Sequence, residues 1–195
     1  MKHIYTIVLL SLFLMPAATA IAQEETGQPE SKESPRPGER VREHHKHSLS
    51  VLLSHVHILD GIEGGSIRGI QRPSWMVAYN YSLNERWALG VHGDIILETF
   101  SVEPASSESE EELLEREYPI SLVGAASFKV IDHLAVQLGG GLEFDKSESF
   151  GLVRIGLEPF LRLSSRIELI LNLSYDIKFN AYDNWNLGFG IAYGL

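Results

Sequence analysis

The residues best equipped for chemistry are histidines, serines and charged groups, and they fall in four places. Glu43-His44-His45-Lys46-His47 crowds imidazoles into one short stretch. Neutral imidazoles at that density can take up zinc, copper or nickel. The plainer reading is a solvated, pH-sensitive polar tract. Ser54, His55 and His57 stand together, with His92 farther on. A serine nucleophile needs an imidazole base within hydrogen-bond reach and an acid to orient that base. Otherwise such histidines are polar filler. Glu108, Glu110, Glu111, Glu112, Glu115 and Glu117 make an acidic stretch. It offers the oxygen ligands that Ca²⁺ or Mg²⁺ takes, or a contact for a basic partner. Its plainer reading is a solvated, self-repelling loop tip. Arg154, Glu158, Arg162, Glu168, Asp176 and Lys178, with Glu143 and Asp145, set opposite charges on the polar parity of their own runs. None of these patterns fixes a site, so the sequence predicts no catalytic, cofactor-binding or metal residue.

The elements that must position these groups follow from the rest of the chain. Over 195 residues it is 44% hydrophobic and 22% charged, with mean hydropathy −0.02. Those averages describe an ordinary soluble domain. The net charge of −10 argues against nucleic acid as a partner, because phosphate binding needs a basic patch. Cysteine is absent. That excludes disulfides, cysteine zinc sites, thiol nucleophiles and a lipid-modified N-terminal cysteine.

Residues 1–22 read as a secretory signal peptide. Lys2 supplies the positive end, Ile7 to Met15 the apolar stretch, and Ala20-Ile21-Ala22 the small-residue cleavage site. The apolar run is shorter than the ~20 residues of a spanning helix. Residues 23–46 are Glu, Ser, Pro, Gly and Lys with almost no large apolar side chain. Such a segment cannot offset its ordering entropy by burial, so it is expected to be a disordered periplasmic tether with a His-rich end.

From residue 47 to 195 the pattern has period two. At the C-terminus Trp185, Leu187, Phe189, Ile191, Tyr193 and Leu195 share one parity, and Asn186, Gly188, Gly190, Ala192 and Gly194 the other. A strand sends alternate side chains to opposite faces, so one face here is wholly apolar. Seven earlier runs repeat the pattern. The first, about Ser48–Ile58, is irregular: His55 and His57 continue the apolar parity of Leu49, Val51 and Leu53, and a bulge would reset it. Pro159 lies inside another run and removes a ladder donor, which suggests a second bulge.

An apolar stripe faces inward in a soluble barrel and outward in a membrane barrel. Three features favour outward. The polar face mixes opposite charges with Gly139, Gly141, Gly156, Gly188 and Gly190, which suits a narrow lumen. Tight turns at 84–86, 131–133 and 164–166 alternate with longer links at about 59–71, 101–117, 146–149 and 180–184. Aromatics stand at the strand ends: Trp75, Tyr118, Phe144, Phe179 and Trp185 at one end, and Trp87, Phe128 and Tyr193 at the other. The fold expected is all-β, an eight-stranded antiparallel up-and-down transmembrane barrel after a signal peptide and linker.

On these residues the chain resembles the small eight-stranded outer-membrane β-barrels of Gram-negative bacteria, the OmpA/OmpX-like class, over residues 48–195. Asn186, Gly188, Ile191 and Tyr193 match the spacing of that class's C-terminal assembly signal, with Leu195 where the class carries an aromatic. The chain is also similar to a group of secreted barrel proteins with a His-rich lead-in, a likeness that supplies no activity. The resemblance implies an outer-membrane location, contact with lipids and lipopolysaccharide, and recognition by the barrel-assembly machinery. The expected role is structural, surface-interaction or adhesion-type, non-enzymatic, with a charged network filling the lumen and function in the outer loops. The alternatives are a narrow porin-like channel and a lipid A-modifying enzyme built on Ser54, His55, His57 and His92. Pattern alone further predicts that Leu171→Arg damages assembly and that Asn172→Arg is milder.

Overall fold

The computed structural model describes residues 45–63, 66–67, 69–102, 113–146 and 148–195. The expectations placed on the signal segment 1–22, on residues 23–44, and on Glu108, Glu110, Glu111 and Glu112 lie outside the described residues.

Alternation of branched and aromatic residues with small or polar ones produces long strands. In chain order they are β1 (His47–Ile58), β2 (Gly61–Glu63), β3 (Ser66–Ile67), β4 (Ile70–Ser82), β5 (Trp87–Ile96), β6 (Phe100–Val102), β7 (Leu114–Arg116), β8 (Ile120–Ile131), β9 (Leu134–Phe144), β10 (Ser149–Arg162), β11 (Ile167–Lys178) and β12 (Asn184–Gly194). Eight of them close a barrel in the order β1-β12-β11-β10-β9-β8-β5-β4, every pair antiparallel. These are the eight runs read from the sequence. The short β3, β2, β6 and β7 form a separate sheet from the segments expected to be plain loops.

One end of the barrel carries the tight turns. The Asn84 Oδ1 accepts the backbone N–H of Arg86 and of Trp87, each at 2.9 Å. Ser164 Oγ accepts those of Arg166 and Ile167. Short polar side chains that satisfy their own turn backbone let the chain reverse in so few residues. The other end carries the long links and the small sheet.

The apolar stripe faces outward. Leu53 is 59% exposed, and Val77, Leu89, Val91, Leu122, Leu142, Leu157, Leu171, Leu187, Phe189 and Ile191 are exposed around the whole wall. Soluble monomers rarely expose apolar patches beyond a few hundred Å². The rings stand where expected: Trp75, Tyr118, Phe144 and Phe179 toward the loop end, and Trp87 and Tyr193 toward the turn end, all exposed. Trp87 packs on Phe128 across the β5–β8 ladder, their centroids 4.8 Å apart.

Two register expectations are corrected. β1 pairs without a break with both neighbours, so no bulge resets it; His55 and His57 face outward with Leu49, Val51 and Leu53. At Pro159 the register is the same on either side, Leu157 opposite Leu173 and Phe160 opposite Ile170. The proline faces outward and interrupts the ladder without shifting it. The irregularity sits between Lys129 and Ile131, next to a tight turn. Two lumen glycines are steric requirements. A Cβ on Gly141 would come within 2.0 Å of the Leu122 carbonyl oxygen, and one on Gly190 within 2.0 Å of that of Val51. A narrow barrel brings those backbones too close for any side chain.

Candidate functional site

The lumen is filled in three zones. Toward the loop end Arg154 on β10, 1% exposed, lies between two carboxylates. Its Nε and Nη2 donate to Asp176 Oδ1 and Oδ2 at 2.6 and 2.8 Å, and its Nη1 donates to Asp94 Oδ2 at 2.8 Å. A guanidinium presents donors in a planar fork that matches a carboxylate bidentately. Asn186 Nδ2 donates to Asp176 Oδ2 at 3.3 Å. These strands are held in one register across the barrel, because Arg154 reaches β5 as well as its neighbour β11.

Above it Glu143 on β9 is a hub. It accepts from Lys178 at 3.1 Å, from Arg116 Nη2 at 3.1 Å, from the Tyr182 hydroxyl at 2.5 Å and from Ser121 Oγ at 3.5 Å. Lys178 also donates to Asn184 Oδ1 and lies 3.9 Å from the Tyr182 ring centroid. Burial and the Glu143 charge hold the Tyr182 phenol well above its ordinary value, so it stays a donor. Over this cluster sits an apolar cap of Val56, Ile58, Ile70, Ile96, Phe100, Val102 and Tyr182.

Toward the turn end the lumen is apolar again. Leu52, Met76, Ile170 and Ala192 pack together, with Phe160 against them. Below them opens a mouth of about 220 Å³, floored by Phe160 and Ala192 and rimmed by Lys129, Arg162 and Glu168. Glu158 lines it too, and its partner is Gln137 Nε2 at 2.8 Å.

The charged set read from the sequence thus resolves into pairs: Arg154 with Asp176, Lys178 with Glu143, and Arg162 with Glu168 at 2.9 Å. Three expectations change. Glu158 meets an amide and no cation among the described residues. Asp145 stands just past β9 in the β9–β10 link with its side chain buried, and its partner at 3.0 Å is Arg116, a residue outside the charged set read from the sequence. The lumen is not filled by charge alone, since two apolar zones bracket the charged one. Arg116 was hidden in the acidic stretch, its glutamate neighbours masking the one cation that turns inward. Asp94, Tyr182, Asn184 and Asn186 carry no signal beyond strand parity or position in a link.

The serine and histidines of the enzyme alternative do not come together. Ser54 faces inward and His55 outward, as alternate residues of one strand must. His57 faces outward and stacks on Trp185 with centroids 5.1 Å apart. His92 is buried in the lumen with Nε2 3.1 Å from Asn80 Oδ1. Of the His-rich stretch, His47 Nδ1 lies 2.6 Å from the Tyr79 hydroxyl and His45 lines the mouth. Among the described residues no group of three or more His, Cys, Asp or Glu side chains gathers as for a metal ion.

A solved structure of Neisserial surface protein A superposes on the chain with a TM-score of 0.52 at 11% identity, covering 77% of this chain and 97% of that one. The fold is that of the small eight-stranded outer-membrane β-barrels. Other outer-membrane barrels of this size are also similar: OprG of Pseudomonas aeruginosa, with a TM-score of 0.45 at 10% identity over 79% of this chain and 98% of that one, and Ail of Yersinia pestis, with 0.42 at 14% over 76% and 99%. No protein-family model and no curated protein sequence matches the chain. At these identities the likeness of one outer-membrane barrel to another is a likeness of fold.

Proposed function

We propose that the chain is a closed, non-enzymatic outer-membrane barrel. It is exported through its N-terminal signal, is inserted by the barrel-assembly machinery reading the last strand, and acts through its extracellular end. Its outward stripe meets lipid and lipopolysaccharide, and its role is structural, surface-interaction or adhesion-type. The observation that carries this reading is the filled lumen: an ion network of Arg154, Asp94 and Asp176 between an apolar cap and an apolar floor. Buried charges persist only when paired, and a paired network ties strands together without leaving a water column. The separation of Ser54 from His55 onto opposite faces supports a non-catalytic role.

The test is single-channel recording in planar bilayers with the refolded full-length chain. No conductance steps are expected at any protein load. Steps that scale with protein amount overturn the closed reading in favour of a porin-like channel.

A further inference from the structure

One buried cation in this molecule does not belong to the barrel wall. Arg116 is the last residue of β7, a three-residue strand whose pairing is with β6 in the small outer sheet. Its side chain is nevertheless 0% exposed. Nothing local can bury it, because Glu115 before it is exposed and Tyr118 just after takes a left-handed backbone with φ 47° that swings the chain into β8. Arginine is almost never fully buried unless paired, and the partners here come from the β9–β10 hairpin of the barrel. Arg116 Nη2 donates to Glu143 Oε1 at 3.1 Å. Its Nη1 donates to the Glu148 carbonyl at 3.1 Å and meets Asp145 Oδ1 at 3.0 Å. The guanidinium carbon lies 4.8 Å from the Phe150 ring centroid.

The strand that Arg116 anchors carries part of the cap. β7 pairs with β6, Phe100 opposite Arg116 and Val102 opposite Leu114. Phe100 and Val102 are buried in the cap, with Leu114 packed against it. Phe100 meets Tyr182 edge-on, their centroids 5.5 Å apart. The other side-chain ties on this side are weaker: Arg72 to Glu98 at 3.2 Å and Lys146 to Glu117 at 2.8 Å, each with at least one partner about half exposed or more, and the Glu117 N–H donating to Asp145 Oδ2 at 3.3 Å. An ion pair that open to water is worth little. Glu143, by contrast, does not depend on Arg116. Lys178, Tyr182 and Ser121 still hold it when Arg116 leaves.

We infer that Arg116 is the pin that docks the β6–β7 pair, and with it Phe100 and Val102, onto the loop end of the barrel. Replacing its guanidinium then uncovers the lumen from that end while the barrel stays folded. The inference takes from the proposed function only which end faces outward. Its test does not depend on conduction or on any partner, so the two readings fail separately.

The chain has no cysteine, so a single engineered thiol reports on one place. Ser74 on β4 faces the lumen beneath the cap and is buried. Ser74→Cys in the full chain, reconstituted in nanodiscs, is treated with a charged maleimide. The parent is expected to label slowly. Adding Arg116→Gln is expected to raise the rate at least about tenfold, the measure of a local opening easier by about 1.4 kcal/mol. The heat-dependent gel shift of a folded barrel is expected to be retained. Equal rates with the gel shift retained overturn the inference, as does fast labelling of the parent. Should Arg116→Gln lose the gel shift, Arg116→Lys decides. An ammonium keeps the charge but cannot span Glu143, Asp145 and the Glu148 carbonyl as the fork does. Faster labelling than the parent supports the pin, and an unchanged rate overturns it.

Discussion

Arg154 is the residue on which the middle of the lumen depends. It faces Asp94 and Asp176 at hydrogen-bond distance, and all three side chains are buried or nearly so. Removing the cation leaves two carboxylates with no counter-charge in a space closed above and below. Breaking a buried pair in this way costs about 3–5 kcal/mol. Arg154→Leu is therefore expected to lower the urea midpoint of the refolded barrel sharply, followed by tryptophan fluorescence. Arg154→Lys is expected to fall between the two, because a point charge replaces a bidentate fork. Adding Asp94→Asn to Arg154→Leu removes one stranded charge and is expected to recover part of the loss. The sequence made the Arg154–Asp176 pair legible, because the two share a face on neighbouring runs. Asp94 lies across the barrel from them, sixty positions away in sequence, and no local pattern joins it to Arg154.

At the scale of the strand, parity decides which substitutions are tolerated. Leu171 faces outward on β11 and Asn172 inward. A lipid-facing arginine at mid-depth costs about 2–4 kcal/mol, so Leu171→Arg is expected to cut the yield of gel-shifted barrel, while Leu171→Phe leaves it nearly unchanged. The milder effect expected for Asn172→Arg does not survive the structure. Asn172 is 1% exposed and donates to Gln137 Oε1 at 3.3 Å, with no room for a longer cation. Asn172→Arg is expected to lower the yield as well, now through overpacking, whereas Asn172→Ser is tolerated. Period-two reading recovered all eight barrel strands to within a few residues, because each alternation is local and strong. It missed β2, β3, β6 and β7, whose two or three residues are too few to show a period. It also assigned bulges at His55 and Pro159 that the ladders do not contain. A histidine pair on the outer wall and a proline at which the ladder breaks and resumes in the same register are both tolerated where the surrounding strands fix the register.

For the whole molecule the consequence is closure. Every barrel strand is paired on both sides, so no edge is exposed and the barrel unfolds as a unit. Unboiled protein in detergent gel is expected to migrate apart from the boiled form, and coincidence of the two bands would remove the membrane-barrel reading. Mean hydropathy near zero is the average of an outward apolar stripe and an inward polar one. The same average in a soluble domain would come from an inward apolar core.

The sequence by itself determined the number of barrel strands, the parity of nearly every side chain on them, and the outward direction of the apolar face. These are local properties, set by alternation, by turn residues such as Asn84 and Ser164, and by ring positions at strand ends. Only the tertiary structure decided how the lumen is closed. Which charges meet depends on barrel closure, which brings β5 opposite β10 and seats Arg116 from an outer strand in the β9–β10 hairpin. Inward Leu52, Met76 and Ile170 become a floor, and Phe100 and Tyr182 a cap, only when strands distant in sequence converge on one axis. Parity says which side a residue faces; what it meets there is set by the ring of strands around it.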